Sequence, residues 1–393
     1  MKKRYLLLLL LFYFIKPVNS QVQLSVYSEV SIVTAGPGTE LFESFGHSAI
    51  RIKDPVLQLD LVYNYGMFDW KAPNFYLNFV KGRPKYSLAR YDFKYFLRSY
   101  KNQKRWVKQQ VLNLNQKERQ AFFQYLEQNA LPKNASYVYD PYYNNCATKL
   151  REITDLILGE KVQFNDNHLE KNKSLRQLMG KEISWNTWGS LGINIALGSK
   201  LDLNATAKQY MYLPDYVYSG YKNAKVFVKN EPIDLIKKEI SLLNFEESTP
   251  KIKIFNPFLI FSIISIIGLL ITFNDFKKNK RTQILDFILF FSTGIIGLLI
   301  VFLWFFTDHV TAPNNFNFLW AFAPNFIIAF FLLKEEQLNW IKKYLQIILL
   351  LLFIIPIVWL LKIQQLPISI IPLLILLFVR YLLLSKKLLT FKK

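Results

Sequence analysis

Tyr142-Tyr143-Asn144-Asn145-Cys146-Ala147-Thr148-Lys149-Leu150-Arg151 contains the only cysteine of a 393-residue chain. Ala147, Leu150, Ile153 and Ile157 recur at helical spacing, and Gly159 is placed to end the helix. Asn144 or Asn145 is a good N-cap. Cys146 then falls in the first turn, where unpaired N–H groups and the helix dipole favour a thiolate. One cysteine can form no internal disulfide. It is either a small packed hydrophobe or a reactive thiol.

Upstream, residues 26–33 are rich in β-branched side chains and read as a strand, and Gly36-Pro37-Gly38 is a turn. His47-Ser48-Ala49-Ile50-Arg51-Ile52, a turn near Lys53-Asp54-Pro55, and residues 57–65 read as a β-hairpin. A turn centred between Pro55 and Val56 puts Asn64 opposite His47. A one-residue slip would put Tyr63 or Tyr65 there instead. Residues 113–128 look helical, with Leu114, Phe122 and Leu126 on one side. The mixture is α+β. A lone histidine in a strand is more often structural than catalytic. Cysteine with histidine is nevertheless the minimum for thiolate chemistry: the imidazole takes the thiol proton and a polar group such as Asn64 fixes its tautomer. Spacing alone does not show that Cys146 and His47 meet.

The chain begins Met1-Lys2-Lys3-Arg4, then an apolar run over 5–15, then Val18-x-Ser20 before Gln21. This reads as a secretory signal peptide, residues 1–20, with an uncleaved anchor as the alternative. Export would place Cys146 in an oxidising compartment. Beyond Lys253 lie five apolar stretches, 255–273, 287–306, 316–333, 344–361 and 367–384, each about long enough for a membrane helix. Lys277, Lys278, Lys280 and Arg281 follow the first. Lys334, Lys342 and Lys343 follow the third. Arg380, Lys386, Lys387, Lys392 and Lys393 lie at the end of the chain. The positive-inside rule therefore puts the C-terminus in the cytoplasm and residues 21–254 outside. The expected organisation is a signal peptide (1–20), a periplasmic catalytic domain (21–254) and a transmembrane domain of five helices (255–393).

The net charge of +21 partly reflects these anchors. A nucleic-acid function is disfavoured by compartment and by the lack of a recognition motif, whereas a basic surface suits anionic headgroups. With three histidines and one cysteine, no metal-ligand spacing appears, nor a Gly-rich phosphate loop. His168 reads as part of a solvated loop, and no cofactor is expected. Trp320 fits an interfacial belt, and Trp185 and Trp188 either help bury the domain or rest on the membrane. Asn317 and Asn325, inside an apolar stretch, should face protein or a cavity.

Two motifs, Gly46-His47-Ser48-Ala49-Ile50-Arg51 and Asn145-Cys146-Ala147-Thr148, resemble the permuted NlpC-type papain-like fold, with histidine first on a strand and cysteine later at a helix start. Over longer stretches the likeness extends to Phe45–Ile52 in register, Val62-Tyr63-Asn64-Tyr65-Gly66-Met67-Phe68, Pro73-Asn74-Phe75-Tyr76-Leu77 and Tyr210-Met211-Tyr212-Leu213-Pro214-Asp215. Together these resemble the Lnb family of Bacteroidetes, lipoprotein N-acyltransferases with a periplasmic domain and five C-terminal membrane helices. The resemblance implies a permuted papain-like (NlpC-type) extracytoplasmic domain and an inner-membrane location. It implies Cys146 as nucleophile, His47 as base and Asn64 as the third polar member. The implied partners are a phospholipid acyl donor and diacylglyceryl lipoproteins. Backbone N–H groups at the start of the Cys146 helix are expected to form an oxyanion hole. The outer loop 308–317, with Asp308, His309 and Asn317, resembles the family's polar motif and is expected to bind substrate. The competing readings are a membrane-anchored cysteine peptidase or amidase acting on cell-envelope peptides, and a non-enzymatic envelope-binding protein.

Overall fold

Alternating β-branched and aromatic residues build the first strands, β1 (Glu29–Ala35), β2 (His47–Asp54) and β3 (Leu59–Met67). The computed structural model describes residues 22–247, 254–334 and 338–390; the expected signal peptide lies outside the described residues. With β4 (Lys85–Asp92), β5 (Val107–Leu112), β6 (Ser136–Val138) and β10 (Ile236–Leu243), these strands form one seven-stranded sheet of order β10-β5-β1-β2-β3-β4-β6. All of its neighbouring pairs are antiparallel. Three shorter strands, β7 (Val162–Gln163), β8 (Lys225–Val228) and β9 (Glu231–Asp234), make a second small sheet.

Helices cover both faces of the large sheet. Between strands lie α1 (Phe75–Val80), α2 (Phe93–Asn102), α3 (Gln116–Ala130) and α4 (Cys146–Leu158). One face packs Ile32, Ile50, Ile52 and Tyr63 against Phe122 and Leu126 of α3 and Leu150 and Ile153 of α4. The other packs Val33, Ala49 and Val62 against Phe93 and Phe96 of α2. Alternation along each strand sends successive side chains to these two cores.

Four more helices, α5 (Leu175–Glu182), α6 (Trp188–Ala196), α7 (Ala207–Tyr210) and α8 (Pro214–Lys222), complete this domain. The apolar region then forms α9 (Pro257–Lys278), α10 (Gln283–Phe305), α11 (Asn325–Leu332), α12 (Asn339–Leu360) and α13 (Ile371–Lys387). The architecture is α+β, a sheet-rich domain followed by a helical one. Among the described residues, four helices are long and apolar enough to cross a membrane. The stretch 316–333, read from sequence as a single span, is instead a 3-10 turn (Phe316–Leu319), a break, and the short α11. Pro324 explains the break, because it lacks an N–H and disfavours helical backbone in the residue before it. Glycines on α10 let the irregular chain approach. A Cβ on Gly294 would lie 2.1 Å from the Phe326 nitrogen, and one on Gly297 would lie 2.2 Å from the Ala321 carbonyl oxygen. The expected polar residue in this stretch is partnered: Asn325 donates to Thr293 at 3.0 Å and accepts from the Tyr344 hydroxyl.

Two other sequence readings are corrected here. Arg380 is no cytoplasmic surface anchor. It is fully buried, with Nε 2.6 Å from Asp286 and Nη1 2.7 Å from Asp275. Arg281, also largely buried, lies 3.7 Å from Asp286 and donates to the Leu332 carbonyl at 2.6 Å. Two arginines and two aspartates form a charge-balanced cluster, the condition under which buried charge is tolerated. Trp320 is buried within the protein rather than facing lipid; its Nε1 donates to Asn317 Oδ1 at 3.0 Å. Trp185 and Trp188 are half-exposed and rest against Phe258 and Phe261 at the start of α9.

Candidate active site

The sequence Asn145-Cys146-Ala147-Thr148 folds as a helix start because Asn145 is used completely. Its Oδ1 accepts from the Ala147 and Thr148 N–H groups, both at 2.9 Å. The Thr148 hydroxyl accepts in turn from the Asn145 N–H, closing a reciprocal cap. The Asn145 Nδ2 donates to the carbonyls of Pro141 and Tyr212 at 2.7 and 2.8 Å. The Tyr210–Asp215 motif thus helps hold the cap in place. Cys146 is the first residue of α4, and 9% of it is exposed. The cap consumes two of the N–H groups expected to form an oxyanion hole, but it does not use the N–H of Cys146 itself.

His47 begins β2 after Gly46, whose φ of +72° suits glycine and where a Cβ would stand 2.9 Å from the Ala35 carbonyl. The observed hairpin pairs Ile50 with Tyr63 and Asp54 with Leu59. Its turn therefore falls one residue later than the sequence reading placed it, and the strand pairing shifts by two. A shift of two keeps every side chain on its face. Asn64 and His47 therefore remain on one face of the sheet, where their side chains meet. Asn64 Oδ1 lies 2.5 Å from His47 Nε2. The Asn64 amide nitrogen donates to the Tyr91 hydroxyl at 2.9 Å and faces Met67 Sδ at 3.3 Å. These contacts direct the carbonyl end at the ring, so Nε2 carries the proton and Nδ1 is left for the thiol. His47, Asn64 and Tyr91 run diagonally across three neighbouring strands.

The imidazole lies on the α2 side, its ring 6.5 Å from Tyr100 and 6.4 Å from Phe96. The thiol arrives from the α4 side. They meet beside Gly66, where φ is +90° and a Cβ would already stand 3.5 Å from that of Cys146. Burial opposes charge on Cys146, but the charge of His47, a hydrogen bond with it, and the N–H groups of Ser48 and Ala147 hold the thiol below its ordinary value. Burial likewise opposes charge on His47, yet the facing Cys146 and the Asn64 hydrogen bond lift it above the ordinary histidine value. Both shifts favour the charged forms of the two facing groups.

Sequence reasoning missed Tyr91, Met67, Gly66 and Ser48 as parts of this site. The Ser48 hydroxyl is buried with no hydrogen-bond partner among the described residues. Only the adjacency of Ser48 to His47 signalled it. His168 lines a separate cleft with Arg151 and Lys208. No cluster of three or more His, Cys, Asp or Glu suited to a metal occurs among the described residues.

The loop residues 308–317 are not brought into this hydrogen-bonded set. Asp308 pairs with Arg83, and its N–H donates to the Lys81 carbonyl at 2.9 Å. His309 is partly exposed and lies against Gly82. Asn317 is fully buried, donating to the Asn194 carbonyl at 2.9 Å and accepting from Trp320. Asn315 donates to the Ile195 carbonyl at 2.7 Å, and Gln364 to the Leu197 carbonyl at 3.2 Å. These contacts join the sheet domain to the helical one.

The comparisons agree with this two-part layout. Residues 16–181 match the family model described as the Lnb N-terminal periplasmic domain. Residues 248–392 match the model described as the Lnb transmembrane domain. No curated protein and no solved structure is similar enough to the chain to match it. With both domains matched in this order over most of its length, the chain belongs to the Lnb family, membrane proteins with a periplasmic N-terminal domain.

Proposed function

We propose that this protein is a lipoprotein N-acyltransferase that carries the acyl chain on Cys146. The observation that supports it most is the meeting of a lowered-pKa thiol with His47, itself held by Asn64, in a domain fastened to apolar helices. In the first step the thiolate attacks the ester carbonyl of a phospholipid. The S–C bond forms, the C–O bond breaks, and the His47 imidazolium gives its proton to the departing glycerol oxygen. A lysophospholipid leaves. In the second step the α-amine of a diacylglyceryl-cysteine lipoprotein attacks the thioester. The N–C bond forms, the C–S bond breaks, and His47 takes the amine proton while the thiolate returns. The Cys146 N–H serves as oxyanion donor.

Under this reading the sheet domain is permuted papain-like and lies in the periplasm of a bacterial inner-membrane protein. Asp308 and His309 help position a substrate beside the junction. A cysteine peptidase of the same design would need no such broad junction with apolar helices. Mass spectrometry of lipoprotein N-termini from cells with and without the protein tests the proposal. N-acylation should be lost without it; unchanged N-acylation, in cells with no second enzyme of this activity, would contradict it.

A further inference from the structure

Helix α1 is short, yet its surface is conspicuously apolar. Tyr76, Leu77 and Phe79, with Trp70 just before them, are each half or more exposed. Water-facing helices do not present such a surface without a use for it. The helix is also fixed in height. Its C-terminal end is tied to the chain that leaves α10: Asp308 bonds the Lys81 carbonyl, pairs with Arg83 and packs with His309 on Gly82. A Cβ on Gly82 would stand 2.5 Å from the His309 nitrogen, so the two backbones are in contact. Phe305 and Phe306, only a few residues earlier, end an apolar helix and are themselves exposed. Exposed apolar residues on α1 therefore lie at the level where α10 leaves the apolar layer. Charge agrees: Lys71, Lys81 and Lys85 flank the helix beside the Arg83–Asp308 pair, and no acidic residue lies between Lys71 and Lys85 in the sequence.

A second observation connects this surface to the nucleophile. The Cβ position at Gly66 touches Cys146 and lies 3.9 Å from the ring of Tyr139. Tyr139 stacks on Tyr86 with centroids 4.1 Å apart, and Tyr86 lies 5.0 Å from Phe68. Phe68 in turn lies 4.7 Å from Trp70 and 6.0 Å from Phe75 of α1. A continuous row of aromatic rings leads from the exposed helix to the thiol.

We infer that α1 inserts into the outer leaflet of the membrane and that the Phe68–Tyr86–Tyr139 row carries an acyl chain from the bilayer to Cys146. The basic flank would meet lipid phosphates while the exposed aromatic and aliphatic side chains sit among acyl chains, the division of a helix lying in an interface. The position of α1 follows from the geometry alone. Its use as an acyl path rests on the acyltransferase reading above.

The test uses the full chain carrying Cys146→Ser and Leu77→Cys, labelled with an environment-sensitive fluorophore and reconstituted in phosphatidylethanolamine–phosphatidylglycerol vesicles. The label should emit at shorter wavelength than the same label at Leu156, and a nitroxide on lipid acyl chains should quench it more than aqueous iodide does. Emission like that of the Leu156 label, with quenching by iodide instead, would overturn the inference. This reading does not depend on catalysis. Activity is read separately on the unlabelled Cys146 protein: its inactivity beside a lipid-buried label refutes only the enzymatic proposal, and its activity beside an aqueous label refutes only this one. In the Cys146 protein, replacing Leu77 and Phe79 by Glu should lower the ratio of Cys146 acylation by vesicle phospholipid to acylation by a short-chain water-soluble thioester about tenfold or more. An unchanged ratio would contradict the acyl path.

Discussion

Asn64 Oδ1 stands 2.5 Å from His47 Nε2, while the amide nitrogen of the same side chain is held by Tyr91. Asn64 therefore cannot turn its amide without giving up both bonds. Asn64→Ala should slow acylation of Cys146 by about tenfold to a hundredfold, and His47→Ala by more, since the first loses the ring's orientation and the second loses the base itself. Tyr91→Phe should show a smaller effect of the same kind. Single-turnover acylation rates on the purified variants measure the order, and equal losses for all three would argue against an orienting role.

The thiolate pair predicts a pH dependence with a definite sign. Cys146 is depressed in the folded protein, so thiolate is present from that lowered value upward and is lost as pH falls through it. His47 is raised, so imidazolium persists above the ordinary histidine value and is lost as pH rises through the raised one. Alkylation of Cys146 by iodoacetamide should therefore begin at lower pH than for an ordinary thiol. In His47→Ala the opposing charge is gone while burial remains, so the profile should move to higher pH. At pH 7 the rate should fall about tenfold or more. A profile unmoved by His47→Ala would show that the two do not pair.

Asn317 and His309 should separate by type of effect. Asn317→Ala leaves the Asn194 carbonyl and the Trp320 N–H without partners in a buried junction, a cost of about 1–3 kcal/mol that thermal unfolding in detergent would register. His309→Ala touches a partly exposed ring and should leave the melting temperature nearly unchanged while lowering acyl transfer. If the thioester still forms but fails to discharge, the loop serves the acceptor; if it never forms, the loop serves the donor. Unchanged transfer in the double variant would reduce the loop to a structural turn.

Removing one member of the buried charge cluster should be severe. Arg380→Met leaves Asp275 and Asp286 facing each other without their shared cation, with an expected loss of about 3–5 kcal/mol. Membrane-fraction yield and thermal stability measure it. A double change to Arg380→Met and Asp275→Asn should recover part of the loss, because Asp286 then remains balanced by Arg281.

The parts of this protein that were legible in its sequence are those decided locally. The Asn145 cap, the α4 face and the Gly159 end all depend on residues within a few positions of one another. Asn64 was found beside His47 although the pairing was read two positions away from its true alignment, because a shift by two preserves the face. Tyr91, Met67 and the Tyr212 carbonyl were not legible, since each comes from a segment whose approach is set only by the folded sheet. Arg281 follows an apolar run and Arg380 lies near the end of one, as exposed anchors do, and only packing against Asp275 and Asp286 tells the two cases apart. The stretch 316–333 is apolar on average, and averaging conceals the break that Pro324 imposes and the buried bonds that fix Asn317.

The central claim is that an acyl chain passes through a thioester on Cys146, and intact-protein mass spectrometry tests it most directly. The protein is incubated with phospholipid vesicles; one portion is trapped in acid, and a second, untrapped, is mixed with a diacylglyceryl-cysteine peptide bearing a free α-amine. The account predicts one hydroxylamine-sensitive acyl adduct, assigned to Cys146 by peptide mapping, that disappears as the peptide gains the same mass. It predicts no adduct and no transfer with Cys146→Ser. Transfer at the full rate with Cys146→Ser would contradict it.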